Sequence, residues 1–180
     1  MDESGKYLLS CNCADPFHVT KIVRRPDGSF GNEVLMDDAA LVMFALEEDG
    51  SIGEVRDVYR TESGYSTGGN WQVNVDPVSV HIQLVEVISR LHSVVASPSR
   101  KLFIVCDKGM DRIYSFAIED GKLVKKDEFR AEYKTFPRYA AFHPRLPVVY
   151  CNNEFAPTLN VLRYSEPDGR LERLKYMDLV

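Results

Sequence analysis

Two stretches of this 180-residue chain fit one template. Residues 92–98 read HSVVASP and residues 138–144 read RYAAFHP: a polar head, mostly small or apolar residues, a closing Pro. The heads, His92 and Arg138, lie 46 positions apart. A repeat of that length constrains the fold more than any composition figure, because each copy must be one supersecondary unit stacked on the next. Asp-Gly pairs punctuate the chain at 27–28, 49–50, 120–121 and 168–169, each following an alternating apolar run and preceding another. That pattern predicts tight hairpins, since Gly accepts the positive φ the turn requires.

One unit can be written out from its second half. A strand from the polar head is followed by a turn at Pro98 or Pro144. Next come a strand (KLFIVCD or PVVYCNN), a short loop, a strand (RIYSFAIE or LNVLRYSE), the Asp-Gly turn and a final strand. Four antiparallel strands in 45 to 48 residues is the size of a propeller blade, so the expected class is all-β, with about three to four blades. The N-terminal segment GKYLLSCNCADPFHVTKIVRRPDG matches the middle of the unit, Lys6 with Lys101 and Asn12 with Asp107, and lacks its opening strand. VTKIVRRPDGSFGNEV and LVMFALEEDGSIGEVR read as a duplicated hairpin, too closely spaced for two blades. The expected layout is one partial propeller domain over 1–180. It has an irregular N-terminal blade at 4–60, a loop or insertion at 61–91, and blades at 92–137 and 138–180. Within the insertion TESGYSTGGN reads as an exposed loop, whereas VSVHIQLVEVISR suits strand or helix equally.

Charge narrows the partners. Net charge is −5, and no Lys/Arg run exceeds two residues. The basic footprint of sequence-independent nucleic-acid binding is therefore missing. No apolar run approaches the length of a membrane-spanning helix, and a soluble, cytoplasmic protein is the expectation. Cys11, Cys106 and Cys151 end apolar runs, where buried thiols are common. Cys13 completes a CNC pair, but a chelating site needs a second group at matched spacing. No metal and no cofactor are expected.

The ordered set HSVVASP, DKGMDRIY, PRYAAFHP and the Asn-Glu ahead of the next strand resembles the lactonase family of seven-bladed β-propellers. That family includes propeller-type 6-phosphogluconolactonases and carboxy-cis,cis-muconate lactonizing enzymes. The resemblance is good over 92–174, fair over 4–28 and poor between. It implies that His92, Arg138 and Glu154 project toward the central channel where the family's active site lies, and that a further basic residue comes from a later blade. A closed ring of this family needs roughly twice this length at about 48 residues per blade, so self-association or a second chain is an expected partner.

The chemistry suits those residues. Opening or closing a lactone needs a proton mover, a positive charge for carboxylate or phosphate, and help for the developing oxyanion. His92 supplies the first because its ordinary pKa lies near neutrality. Arg138 offers a permanently charged fork to an anionic oxygen. Glu154 is expected to orient His92 or act as a second acid/base, with Asp107 and Asn153 hydrogen-bonding substrate hydroxyls. Three readings stay open: hydrolysis of a small anionic sugar lactone, a muconate-type cycloisomerase, and a non-catalytic propeller fragment acting as scaffold, with Arg138 and Glu154 a structural bridge. His143 beside Pro144 is read as structural. His18 and His81 belong to no constellation.

Overall fold

A computed structural model describes residues 1–13, 20–24, 26–34, 39–61 and 89–180. Most of the expected 61–91 insertion, together with His18 and His81, lies outside the described residues. The described chain forms β1 (Tyr7–Cys11), β2 (Thr20–Arg24), β3 (Phe30–Val34), β4 (Ala40–Leu46), β5 (Ile52–Arg60), β6 (Leu91–Ala96) and β7 (Leu102–Asp107). These are followed by β8 (Arg112–Glu119), β9 (Lys122–Arg130), β10 (Pro137–Phe142), β11 (Val148–Asn153), β12 (Thr158–Tyr164) and β13 (Leu171–Asp178). They assemble into two four-stranded antiparallel sheets, β6-β7-β8-β9 and β10-β11-β12-β13, a three-stranded sheet β1-β4-β5, and the hairpin β2-β3. This is the architecture of part of an all-β propeller.

The N-terminal sheet departs from the sequence reading in one respect. β1 aligns with β7, the second strand of its blade, as Lys6 and Lys101 suggest, but its neighbour is β4 rather than β2, with Tyr7 opposite Ala45 and Cys11 opposite Leu41. The two hairpins look alike in sequence. What separates them is that β4 places Leu41 and Met43 in the core at 0% exposure, while among the described residues β2 and β3 pair only with each other.

All four Asp-Gly turns form as expected. Gly28, Gly50, Gly121 and Gly169 all adopt positive φ. At the tightest turn Asp120 joins Gly121 in that region, and Glu119 faces Lys122 across it. At 27, 49 and 168 the Asp carboxylate accepts the backbone N–H two residues on, which fixes the turn before the next strand begins.

Packing follows the two-residue period of β-strands. In β7 every residue is buried, because its two faces serve two cores. Phe103 and Val105 join Leu9, Leu41, Met43, Leu91 and Phe116 against the N-terminal sheet. Leu102, Ile104 and Cys106 join Val149, Cys151, Leu162 and Leu171 against the last sheet. That explains why LFIVC reads as an unbroken apolar run. Cys106 and Cys151 meet in the second core with sulfurs 3.3 Å apart, both as free thiols.

A second device ties each blade to the next at its outer edge. Asp57 in β5 accepts the backbone N–H of Leu123 at 2.8 Å, and Asp127 in β9 accepts that of Leu171 at 2.7 Å. Both Asp residues sit beside an irregularity in strand pairing, where an extra residue twists the strand and re-aims its side chain. The corresponding position of β13, opposite Val161, is Lys175, so the acidic clasp ends with the middle blade.

Candidate active site

The polar heads answer to a single backbone feature. Leu91 pairs with Asp107 and Ser93 with Cys106, leaving His92 out of the ladder. Pro137 pairs with Asn153 and Tyr139 with Asn152, leaving Arg138 out in the same way. A bulge lets an unpaired residue break the in–out alternation of its strand. Both side chains thereby reach shared space between adjacent blades.

There the Arg138 Nε–H donates to His92 Nε2 at 3.1 Å. Arg138 Nη1 also lies 3.3 Å from Glu154 Oε1. Lys108 Nζ reaches the other carboxylate oxygen, Glu154 Oε2, at 2.8 Å. The Tyr139 ring meets the His92 imidazole edge-on, with centroids 5.0 Å apart. Two cations, one carboxylate and an imidazole therefore form a continuous cluster. With the imidazole neutral, the cluster carries one net positive charge.

The electrostatics follow from that company. Partial burial, then the charges of Arg138 and Lys108, push the His92 pKa down, and Glu154 only partly opposes them. His92 therefore rests neutral. Because Nε2 accepts from Arg138, the ring proton sits on Nδ1, which is buried and has no hydrogen-bond partner among the described residues. For Glu154, burial raises the pKa, but the Lys108 hydrogen bond and the charges of Lys108 and Arg138 outweigh it. Its carboxylate stays ionised.

Lys108 escapes a reading of the sequence alone, where DKGMDRIY looks like a connecting loop. The available signal is positional: Lys108 precedes Glu154 by the same 46 residues that separate His92 from Arg138. Two slots per blade thus converge, one filled by His92 and Arg138, the other by Lys108 and Glu154.

Asp107 and Asn153 occupy equivalent slots, but their side chains turn into the blades. Asp107 is 0% exposed. It accepts from Ser89 Oγ, from the backbone N–H of Arg90, Gly109 and Met110, and from the Tyr114 hydroxyl at 3.4 Å. Asn153 donates to Thr158 Oγ1 and accepts from Asn160. These bonds leave neither side chain a direct part in the cluster.

The loops behind the cluster are held by backbone hydrogen bonds. Asp111 accepts the N–H of Lys134 and of Phe136 on the crossover from β9 to β10. The Phe136 carbonyl in turn accepts the N–H of Glu154 at 2.9 Å. Asp111, Lys134 and Phe136 all adopt positive φ, a conformation costly for non-Gly residues that persists where surrounding bonds impose it. Arg112 pairs with Glu128 at 2.8 Å on the blade's outer side. His143 uses Nδ1 to accept the N–H groups of Arg145 and Leu146, as its place in a turn suggested. Among the described residues, no three His, Cys, Asp or Glu side chains gather as a metal site.

Comparison with known proteins agrees with this architecture. The model of the family described as "Lactonase, 7-bladed beta-propeller" matches residues 36–180. Among solved structures, the Pseudomonas aeruginosa periplasmic gluconolactonase is 19% identical with a TM-score of 0.65, and the match covers 100% of this chain and 41% of that one. Two further similar structures are described as putative 6-phosphogluconolactonases. That from Bacteroides fragilis is 17% identical with a TM-score of 0.58, covering 96% of this chain and 54% of its own. That from Bacteroides uniformis is 15% identical with a TM-score of 0.59, covering 98% and 55%. At these identities the likeness speaks for the fold, and the chain spans roughly half or less of each of these structures. With 145 of its residues inside the family match, the chain belongs to the lactonase family of seven-bladed β-propellers.

Proposed function

We propose that this chain contributes the active site of a lactone hydrolase acting on a small anionic sugar lactone, with His92, Arg138 and Glu154 as its working groups. The observation that carries the reading is the Arg138–His92 hydrogen bond across two blades. An anion clamp and a proton mover sit in direct contact, so occupancy of one is coupled to the state of the other.

The chemistry runs as follows. An incoming carboxylate or phosphate competes for the Arg138 fork, because charge-assisted bonds to an anionic oxygen are stronger than one to a neutral imidazole. Arg138 then leaves His92, and Nε2 gains a free lone pair. That nitrogen takes a proton from water as the water oxygen bonds to the lactone carbonyl carbon. Glu154, ionised and close, stabilises the imidazolium that forms. When the ring C–O bond breaks, the imidazolium returns its proton to the leaving alkoxide, giving the hydroxy acid and neutral His92.

The test is lactone hydrolysis followed by acid release, with 6-phosphogluconolactone against uncharged gluconolactone. Wild type should prefer the anionic substrate, and His92→Gln should lower kcat by about 10²–10⁴. Arg138→Ala should mainly raise KM for the anionic substrate. Activity that survives both substitutions refutes the assignment. Formation of a lactone from a muconate, without hydrolysis of either sugar lactone, would favour the cycloisomerase instead. We further propose that the active form is an assembly. Light scattering should find a species larger than one chain.

A further inference from the structure

The cluster contains one member that none of the chemistry above uses. Lys108 lies on the loop after β7, only 14% exposed, with its ammonium 2.8 Å from Glu154 Oε2. Water would satisfy a surface lysine without cost. Drawing this one down to the carboxylate costs side-chain entropy. The ion pair has a definite geometric effect. Glu154 has two oxygens, and with Oε2 held by Lys108 only Oε1 is left to face Arg138 Nη1. Arg138, engaged there through one terminal nitrogen, presents its Nε–H to His92 Nε2. The groups facing His92 are Arg138 and Tyr139 from β10, Lys108 from the β7–β8 loop and Glu154 from the loop after β11.

We propose that Lys108 is a positioning residue: by holding Glu154 it fixes Arg138 on Nε2 of His92 and so keeps the resting ring proton on Nδ1. The result is an imidazole whose basic nitrogen is masked until an anion draws Arg138 away. Its Nδ1–H, unpartnered among the described residues, is left as a donor. The inference deepens the proposed site and shares its four residues, but its readout needs no substrate.

Nitrogen NMR of ¹⁵N-histidine-labelled protein tests it directly, with His92→Gln assigning the signals. At pH 8, wild type should show the proton on Nδ1, against the Nε2–H form that a free histidine prefers. Lys108→Arg, which keeps a cation on Glu154, should preserve it. Lys108→Met and Glu154→Gln should both move the proton toward Nε2. Their titration midpoints should shift in opposite directions, up when the cation is lost and down when the anion is lost. That combination separates positioning from simple charge. A proton found on Nε2 in wild type, or a tautomer unchanged in both Lys108→Met and Glu154→Gln, overturns the proposal. Should one of those variants fail to fold, the wild-type tautomer and the other variant still decide it. Absence of lactone hydrolysis alongside the expected tautomer changes would sink the proposed activity and leave this inference standing.

Discussion

The middle and last blades share a backbone and differ in what they put into it. Each opens on a bulged strand, each follows its second strand with a charged residue, and each turns at an Asp-Gly. In the middle blade the slots hold His92 and Lys108; in the last they hold Arg138 and Glu154. Identical slots would place like groups together: two arginines repel, and two histidines offer no permanent charge. Alternation lets each blade complete its neighbour, so Arg138 meets His92 and Lys108 meets Glu154. The contrast teaches that the repeat provides convergence, while divergence between its copies provides chemistry.

The largest effect should come from erasing that divergence. His92→Arg makes the bulge slot the same in both blades, setting two guanidinium groups side by side and removing the proton mover. Lactone hydrolysis should fall by about 10²–10⁴, while the far-ultraviolet circular dichroism keeps its β signature. If the variant retains more than a tenth of wild-type kcat, the functional asymmetry of the slots is refuted.

A second contrast concerns Asp107 and Asn153, the equivalent residues that end β7 and β11. Asp107 gathers donors from five residues at full burial, whereas Asn153 serves two side chains. Asp107→Ala should therefore cost roughly 3 kcal/mol or more, because several buried donors lose their acceptor together. Asn153→Ala should cost roughly 1–2 kcal/mol. Urea denaturation of both variants measures the gap, and equal costs would contradict it.

How much of this was legible beforehand depends on the kind of feature. His92 and Arg138 were marked by spacing, since the same polar head recurs before the same small residues and Pro. Glu154 came through the family resemblance. The bulges were not legible, because one extra residue in a strand looks like ordinary sequence; only the pairing of Leu91 and Ser93 with consecutive partners reveals it. Lys108 was hidden because its partner lies 46 residues away on another blade. Asp107 and Asn153 are hard to read because a carboxylate and an amide at strand ends suit a ligand as well as a loop. What decides is the chain folding back, with Gly109 and Met110 returning their N–H groups to Asp107. The two N-terminal hairpins could not be ranked for the same reason: tertiary partners, not local pattern, chose β4.

The equivalent turns offer a third contrast. Gly121 and Gly169 both sit at positive φ, so Ala at either is strained by about 1–2 kcal/mol. Around Gly121 the space is open, with only the Tyr7 hydroxyl at 3.6 Å. A Cβ on Gly169 would collide with Lys126 Cβ on the preceding blade, and the Gly169 carbonyl already accepts from Ser115 Oγ. Thermal unfolding should therefore show Gly169→Ala as the more damaging change by a further ~1 kcal/mol or more. If the two variants melt together, the last turn is not packed onto the middle blade as described.

The smallest effect, and the one that isolates a single slot, is the response to pH. Arg138 stays charged throughout, so only the histidine copy of the bulge slot titrates near neutrality. Its pKa is lower in the folded protein than its ordinary value of about 6.5. Below that value the unfolded chain therefore binds more protons than the folded one, and stability must fall as pH drops toward the folded value. Glu154, also lowered, extends the decline below its own ordinary value of about 4.3. Partial exposure of the ring and screening by water keep the histidine contribution under about 1 kcal/mol. Denaturation midpoints between pH 5 and 8 should slope downward toward acid in wild type. The slope should flatten in His92→Gln and weaken in Arg138→Gln, because without the guanidinium the folded imidazole moves back toward its ordinary value and the folded and unfolded states differ less in bound protons. A slope that His92→Gln leaves untouched would assign the acid sensitivity elsewhere and remove the electrostatic distinction between the two copies.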